Sequence, residues 1–213
     1  MEKVEVRRRW AVETLFGLLV AAALAAGAVG TADLLTSDTS VSDTSASTGP
    51  LSPSGNPPPR VAFADRHIEA LATEAMRQIS YPWTERLPDW YVEFVPGDDD
   101  VAGYTWSHEQ RIEIFVRPGD TADSLARVLA HELGHAVDVT FNDGNERRRW
   151  LDQRGAPDAP WWPNSGSADF DTGAGDFAEC FAVWQVGDQD YRGRLAPSPS
   201  LLDLALLVQL AQG

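Results

Sequence analysis

The chain has 213 residues, enough for one folded domain with appendages. Its formal net charge is −15, and Lys3, Arg7, Arg8 and Arg9 all precede residue 10, so the remainder is more acidic still. That balance excludes a nucleic-acid binder, which sets clustered Lys and Arg against the phosphate backbone. The single cysteine, Cys180, excludes an intramolecular disulfide.

Residues 1–13 form a basic N-terminus. From Thr14 to Ala32, 19 residues carry no charge. At ~1.5 Å per residue a helix of that length just spans a hydrocarbon core of ~30 Å. The basic flank places the N-terminus in the cytoplasm and the rest outside. Small residues at Ala26-Gly27-Ala28 and Gly30-Thr31-Ala32 equally suit a signal peptidase. The segment is therefore either a single-pass anchor in the cell membrane, with the domain outside, or a cleaved signal that leaves a secreted protein. Residues 33–60 are dominated by Ser, Thr, Asp, Gly and Pro and cannot bury enough apolar surface to fold, so they read as a linker.

A folded domain is expected over 61–213. Ile68, Leu71, Ala72, Ala75, Met76 and Ile79 follow helical spacing, which predicts an amphipathic helix over 65–79 with His67 off its apolar stripe. Trp90 to Val95 alternates as a strand. Pro96 to Asp100 reads as a turn without the ligand spacing of a calcium loop. Ala102–Trp106 and Arg111–Val116 pair as a hairpin across 107–110, and residues 111–116 are expected at the free edge of the sheet. Asp120 or Thr121 is placed to cap the helix that follows.

That helix holds His131-Glu132-Leu133-Gly134-His135. Residues four apart share a helix face, so the two imidazoles can meet one metal ion while Glu132 reaches a water beside it. Two neutral nitrogen donors, an open coordination position and an adjacent carboxylate are what a hydrolytic zinc site requires, with Glu132 as general base. Zn2+, one per chain, is the expected cofactor, and a peptide or protein the expected substrate.

Beyond the motif, residues 146–154 read as a short charged helix stopped by Gly155. Residues 155–174 form a loop rich in Pro, Gly and Trp, whose tryptophans either cover the core or wall a cleft; coverage is the expected role. A helix bounded by Gly175 and Gly187 and a last apolar helix from Leu201 to Ala211 complete the chain. The last is too short to cross a bilayer.

A catalytic zinc takes three protein ligands, and no histidine follows His135. A carboxylate must complete the set. Glu179 stands out because Phe177, Ala178, Phe181, Ala182 and Val183 surround it, and a charged carboxylate there needs a partner. His131 to Asp138, followed by Asp176-Phe-Ala-Glu-Cys-Phe-Ala182, resembles the gluzincin metallopeptidases. Within these it is most similar to the anthrax-lethal-factor-type peptidase domain, with its Phe-Ala-Glu-x-Phe segment. The order of a helix, strands and then the motif helix also resembles a zincin domain. The resemblance implies an α+β zincin-like fold with Glu179 as third zinc ligand and Glu132 as base. It also implies a tyrosine a few residues before the ligating glutamate to stabilise the oxyanion. Residues 169–175 hold none, which leaves Tyr104, His108 and Tyr191 as candidates. Asp176 and Asp138 are candidates to orient the histidines, Asp176 being equally placed as a helix N-cap. A second reading is a catalytically weak, metal-stabilised binding module tethered at the cell surface.

Overall fold

The computed structural model describes residues 60–97, 101–164 and 167–213. The membrane segment expected over 14–32, the linker but for Arg60, and most of the acidic turn lie outside the described residues. Among those described, no helix is long and apolar enough to cross a membrane.

Among the described residues, four strands form one sheet: β1 (Val61–Phe63), β2 (Tyr91–Pro96), β3 (Gly103–Trp106) and β4 (Arg111–Val116). The order is β1-β2-β4-β3, parallel between β1, β2 and β4 and antiparallel between β3 and β4. Alternation sends Val92, Phe94, Ile112, Ile114 and Val116 into the core. The hairpin falls where the sequence puts it, but β4 is not an edge. β3 lies outside it, and β1, too short to show a period, extends the other side. Alternation tells which side chains are buried and nothing about how many partners a strand has.

Among the described residues six helices accompany the sheet, and the first and third are the two that pack on its strands. α1 (Arg66–Arg77) begins at Asp65, whose carboxylate accepts the His67 and Ile68 amide protons at 2.8 and 2.9 Å, and it buries Ile68, Ala72 and Ala75 while His67 stays exposed. α2 (Trp83–Arg86) is one turn that buries Trp83. α3 (Ala122–Phe141) is closed at its start by a reciprocal pair, Thr121 with Ser124. Its Leu125, Leu129, Leu133 and Val137 share one core with the inner faces of β2 and β4. α4 (Gly144–Gln153) is capped by Asp143 and so begins earlier than the charged run alone suggests.

α5 (Gly173–Val186) packs along α3. The closest approach is at Gly134, where an added Cβ would lie 2.6 Å from the Ala178 Cα, so the glycine inside the motif sets the interhelix distance. α5 starts at Gly173 because Thr172 caps it, its hydroxyl accepting the Gly175 N–H at 3.2 Å. Asp176 is therefore inside the helix and is not its N-cap. A single 3-10 turn, Asp169–Asp171, precedes it in the long loop. Trp161 of that loop covers the core: it packs against Phe177 and donates from its indole nitrogen to Asp138 at 3.0 Å. α6 (Leu201–Leu210) closes the chain, capped by Ser200. The architecture is α+β with a small mixed sheet.

Candidate metal centre

The middle of α3 places His131, Glu132 and His135 against α5 on one side and β3 on the other, all three buried. Glu132 faces β3. The Thr105 hydroxyl lies 2.7 Å from its Oε2 and 3.1 Å from its carbonyl oxygen, which fixes the carboxylate. Burial pushes the Glu132 pKa above the ordinary carboxylate value, against the pull of His131 and His135.

The two Nε2 atoms stand 3.2 Å apart. Asp169, from the 3-10 turn, brings its Oδ2 to 3.1 Å from His131 Nε2 and 3.4 Å from His135 Nε2. Ligand atoms at ~2.0–2.1 Å from a tetrahedral zinc are ~3.3–3.4 Å apart. The triangle His131, His135, Asp169 therefore has the dimensions of one face of such a site, and this donor set fits zinc. Its other carboxylate oxygen, Asp169 Oδ1, is buried with no hydrogen-bond partner. A carboxylate so enclosed requires a cation. Burial lowers the His131 imidazole pKa, but Asp169 and Glu179 outweigh burial and push it up to about 10. Burial raises Asp169 in turn, and the two histidines hold it well below the ordinary carboxylate range.

Glu179 does not join the triangle. Its Oε2 lies 3.1 Å from Nδ1 of His131, the ring nitrogen on the far side from Asp169. Its Oε1 is ion-paired to Arg127 and accepts the Arg192 backbone N–H at 2.8 Å. Arg127 is anchored in turn on the Gly187 carbonyl at 3.2 Å. Burial raises Glu179, and His131, Arg127 and the Arg192 amide bring it below its usual value. The sequence argument that this carboxylate needs a partner holds, but Arg127, one turn before His131 on the same helix, already supplies a charge.

Asp169 is the candidate donor that the sequence reading missed. It sits in a loop, where no period marks it. The available signal was Gly173-Ala-Gly175 just after it: at Gly175 an added Cβ would lie 2.1 Å from the Asp169 carbonyl oxygen and 2.6 Å from its Oδ2. The glycine leaves the space that Asp169 occupies.

The other candidates lie elsewhere. Asp176 accepts from Trp150 Nε1 at 3.0 Å, from Arg154 Nε at 2.8 Å and from the Tyr191 hydroxyl at 3.2 Å, and its hydrogen bonds tie α4 to α5 without touching a histidine. Asp138 is within electrostatic reach of His135, but it accepts hydrogen bonds from Arg147 at 3.1 Å, Trp161 at 3.0 Å and Asn142 at 3.4 Å. Tyr191 directs its hydroxyl to Asp176, Arg154 and the Ala196 carbonyl. Tyr104 stacks on Trp106, on the face of β3 opposite Gly103 and Thr105. His108 is exposed in the β3–β4 turn. None of the three oxyanion candidates reaches the centre. A cavity of about 20 Å³ adjoins His131 and Glu132, room for about one water molecule. Comparison with family models, with curated proteins and with solved structures gives no match.

Proposed function

We propose that the chain is a zinc-dependent metallopeptidase of zincin-like fold in which His131, His135 and Asp169 hold the ion. The 3.1–3.4 Å triangle of donors carries this reading, supported by the water-sized cavity lined by His131 and Glu132. The donor set departs from the gluzincin pattern at the third position, where Asp169 stands in place of Glu179. The ion, once bound, would polarise the scissile carbonyl and lower the pKa of its water. Glu132, oriented by Thr105 and raised in pKa by burial, is suited to take that water's proton and pass it to the leaving amine. Glu179 accepts the Nδ1 proton of His131, which fixes the tautomer with Nε2 free to bind, and Arg127 fixes Glu179. Strand β3, paired only with β4 among the described residues, presents its other edge beside Glu132 for an extended peptide. The N-terminal segment, as anchor or cleaved signal, would set this activity outside the cytoplasm.

A weakly catalytic, metal-stabilised binding module is the second reading. The positions of Tyr104, His108 and Tyr191, all away from the centre, favour it. Hydrolysis of casein separates the two. The peptidase reading expects chelator-sensitive cleavage that Glu132→Gln abolishes while zinc remains bound; cleavage by the variant at wild-type rate sinks the general-base role.

A further inference from the structure

We infer that the cleft carries a carboxylate-binding subsite centred on Arg192, so that the substrate is a peptide presenting an acidic group next to the scissile bond. The inference rests on the peptidase reading and adds its specificity. A groove of about 590 Å³ adjoins the metal centre; Ala102, Val128 and Arg192 line both it and the small cavity beside Glu132. In a chain of net charge −15, three arginines from three segments line these two spaces: Arg117 after β4 and Arg192 after α5 the groove, Arg127 in α3 and again Arg192 the small cavity. Arg127 is matched by Glu179.

Arg192 is exposed, and among the described residues its hydrogen bond is the one its backbone N–H donates to Glu179, which leaves the guanidinium without one. Its pKa lies below the ordinary arginine value, through burial of its inner part and the charges of Arg127 and Arg117, with Glu179 and Asp190 pulling the other way. Two carboxylates also line the groove. Asp120 turns back to accept the Arg117 backbone N–H at 2.8 Å. Asp190, at φ 62°, stands two residues before Arg192. The guanidinium fork of Arg192, at the mouth of the catalytic cavity, thus retains donors for a planar anion, which it binds through paired N–H groups. A peptide offers that anion as an Asp or Glu side chain or as its free C-terminus.

The test uses the full-length zinc-loaded protein and sets of one peptide with Glu or Gln at each position flanking the cleaved bond, each as free acid and as C-terminal amide. Binding of the same peptides to Glu132→Gln, by calorimetry, reads the subsite without turnover. An ion-paired carboxylate gives a preference of roughly ten- to a hundredfold, in kcat/KM and in affinity, for one of the two acid sources. Arg192→Gln, which keeps the backbone N–H to Glu179, brings that ratio close to one, and Arg192→Lys retains part of it. Equal handling of acid and amide, a preference for Lys in place of Glu, or an equal fall in kcat for both forms in Arg192→Gln each overturns the inference; the last makes Arg192 an oxyanion group instead. Carboxylate-dependent binding without cleavage of any peptide would keep the subsite and remove the peptidase reading.

Discussion

Replacing Gly175 by alanine sets two rules against each other. Helix propensity favours alanine over glycine inside a helix by ~1 kcal/mol, and Gly175 lies in the first turn of α5. The site opposes it, because the new Cβ would stand 2.1 Å from the Asp169 carbonyl oxygen and 2.5 Å from its carbonyl carbon. These are backbone atoms, which cannot swing aside as a side-chain tip would. Relief to an ordinary contact of roughly 3.5 Å moves Asp169 by more than about 1 Å, whereas metal sites hold their distances within ~0.2 Å. Overpacking costs ~1–3 kcal/mol, so the metal-free variant is expected at or below wild-type stability. Zinc affinity should fall by at least ~100-fold, since misplacing only a residue that supports a ligand already costs ~10–100-fold. Competition with a chromophoric chelator measures the affinity, and thermal unfolding with and without zinc measures stability. A variant that is ~1 kcal/mol more stable and binds zinc as wild type does would refute the placement of Asp169.

Two further predictions concern the frame around the site. Arg154→Met leaves Asp176 buried with its charge uncompensated, as both side chains are nearly inaccessible; a loss of ~3–5 kcal/mol in urea unfolding is expected, reduced when Asp176→Asn is combined with it. For Asp203, burial raises the carboxyl, but hydrogen bonds from Gln153 and Ser200 and the Arg154 charge outweigh it and hold the pKa below its ordinary value. A depressed carboxylate adds stability above its unfolded pKa that disappears as pH falls through the folded one. Wild type should therefore lose more stability than Asp203→Asn between about pH 5 and pH 2, and parallel curves would remove Asp203 from that role.

The two halves of the site differ in how far they could be read from the chain. His131, Glu132 and His135 follow from helical geometry alone, because four-residue spacing on a helix fixes a shared face. Glu179 stands out in the sequence as a carboxylate among apolar neighbours, but burial specifies that a partner exists and not which one, and Arg127 and His131 lie against it. Asp169 depends on a loop path that no local pattern encodes. The same limit explains the sheet. β4 and β3 were legible as a hairpin, yet the parallel partners β1 and β2, distant in sequence, decide which strand is the edge. The exclusion of Tyr104 follows from strand alternation once Thr105 is known to face Glu132. Tyr191 could not be placed without Arg154 and Asp176.

The most direct test is zinc stoichiometry and affinity of the purified chain beside Asp169→Ala and Glu179→Gln. One zinc per chain is expected in wild type, none retained by Asp169→Ala under chelator competition, and full stoichiometry in Glu179→Gln with affinity weakened by ~10–100-fold. One tightly held zinc in Asp169→Ala together with loss in Glu179→Gln would move the third ligand back to Glu179, and no zinc in wild type would contradict the metal centre itself.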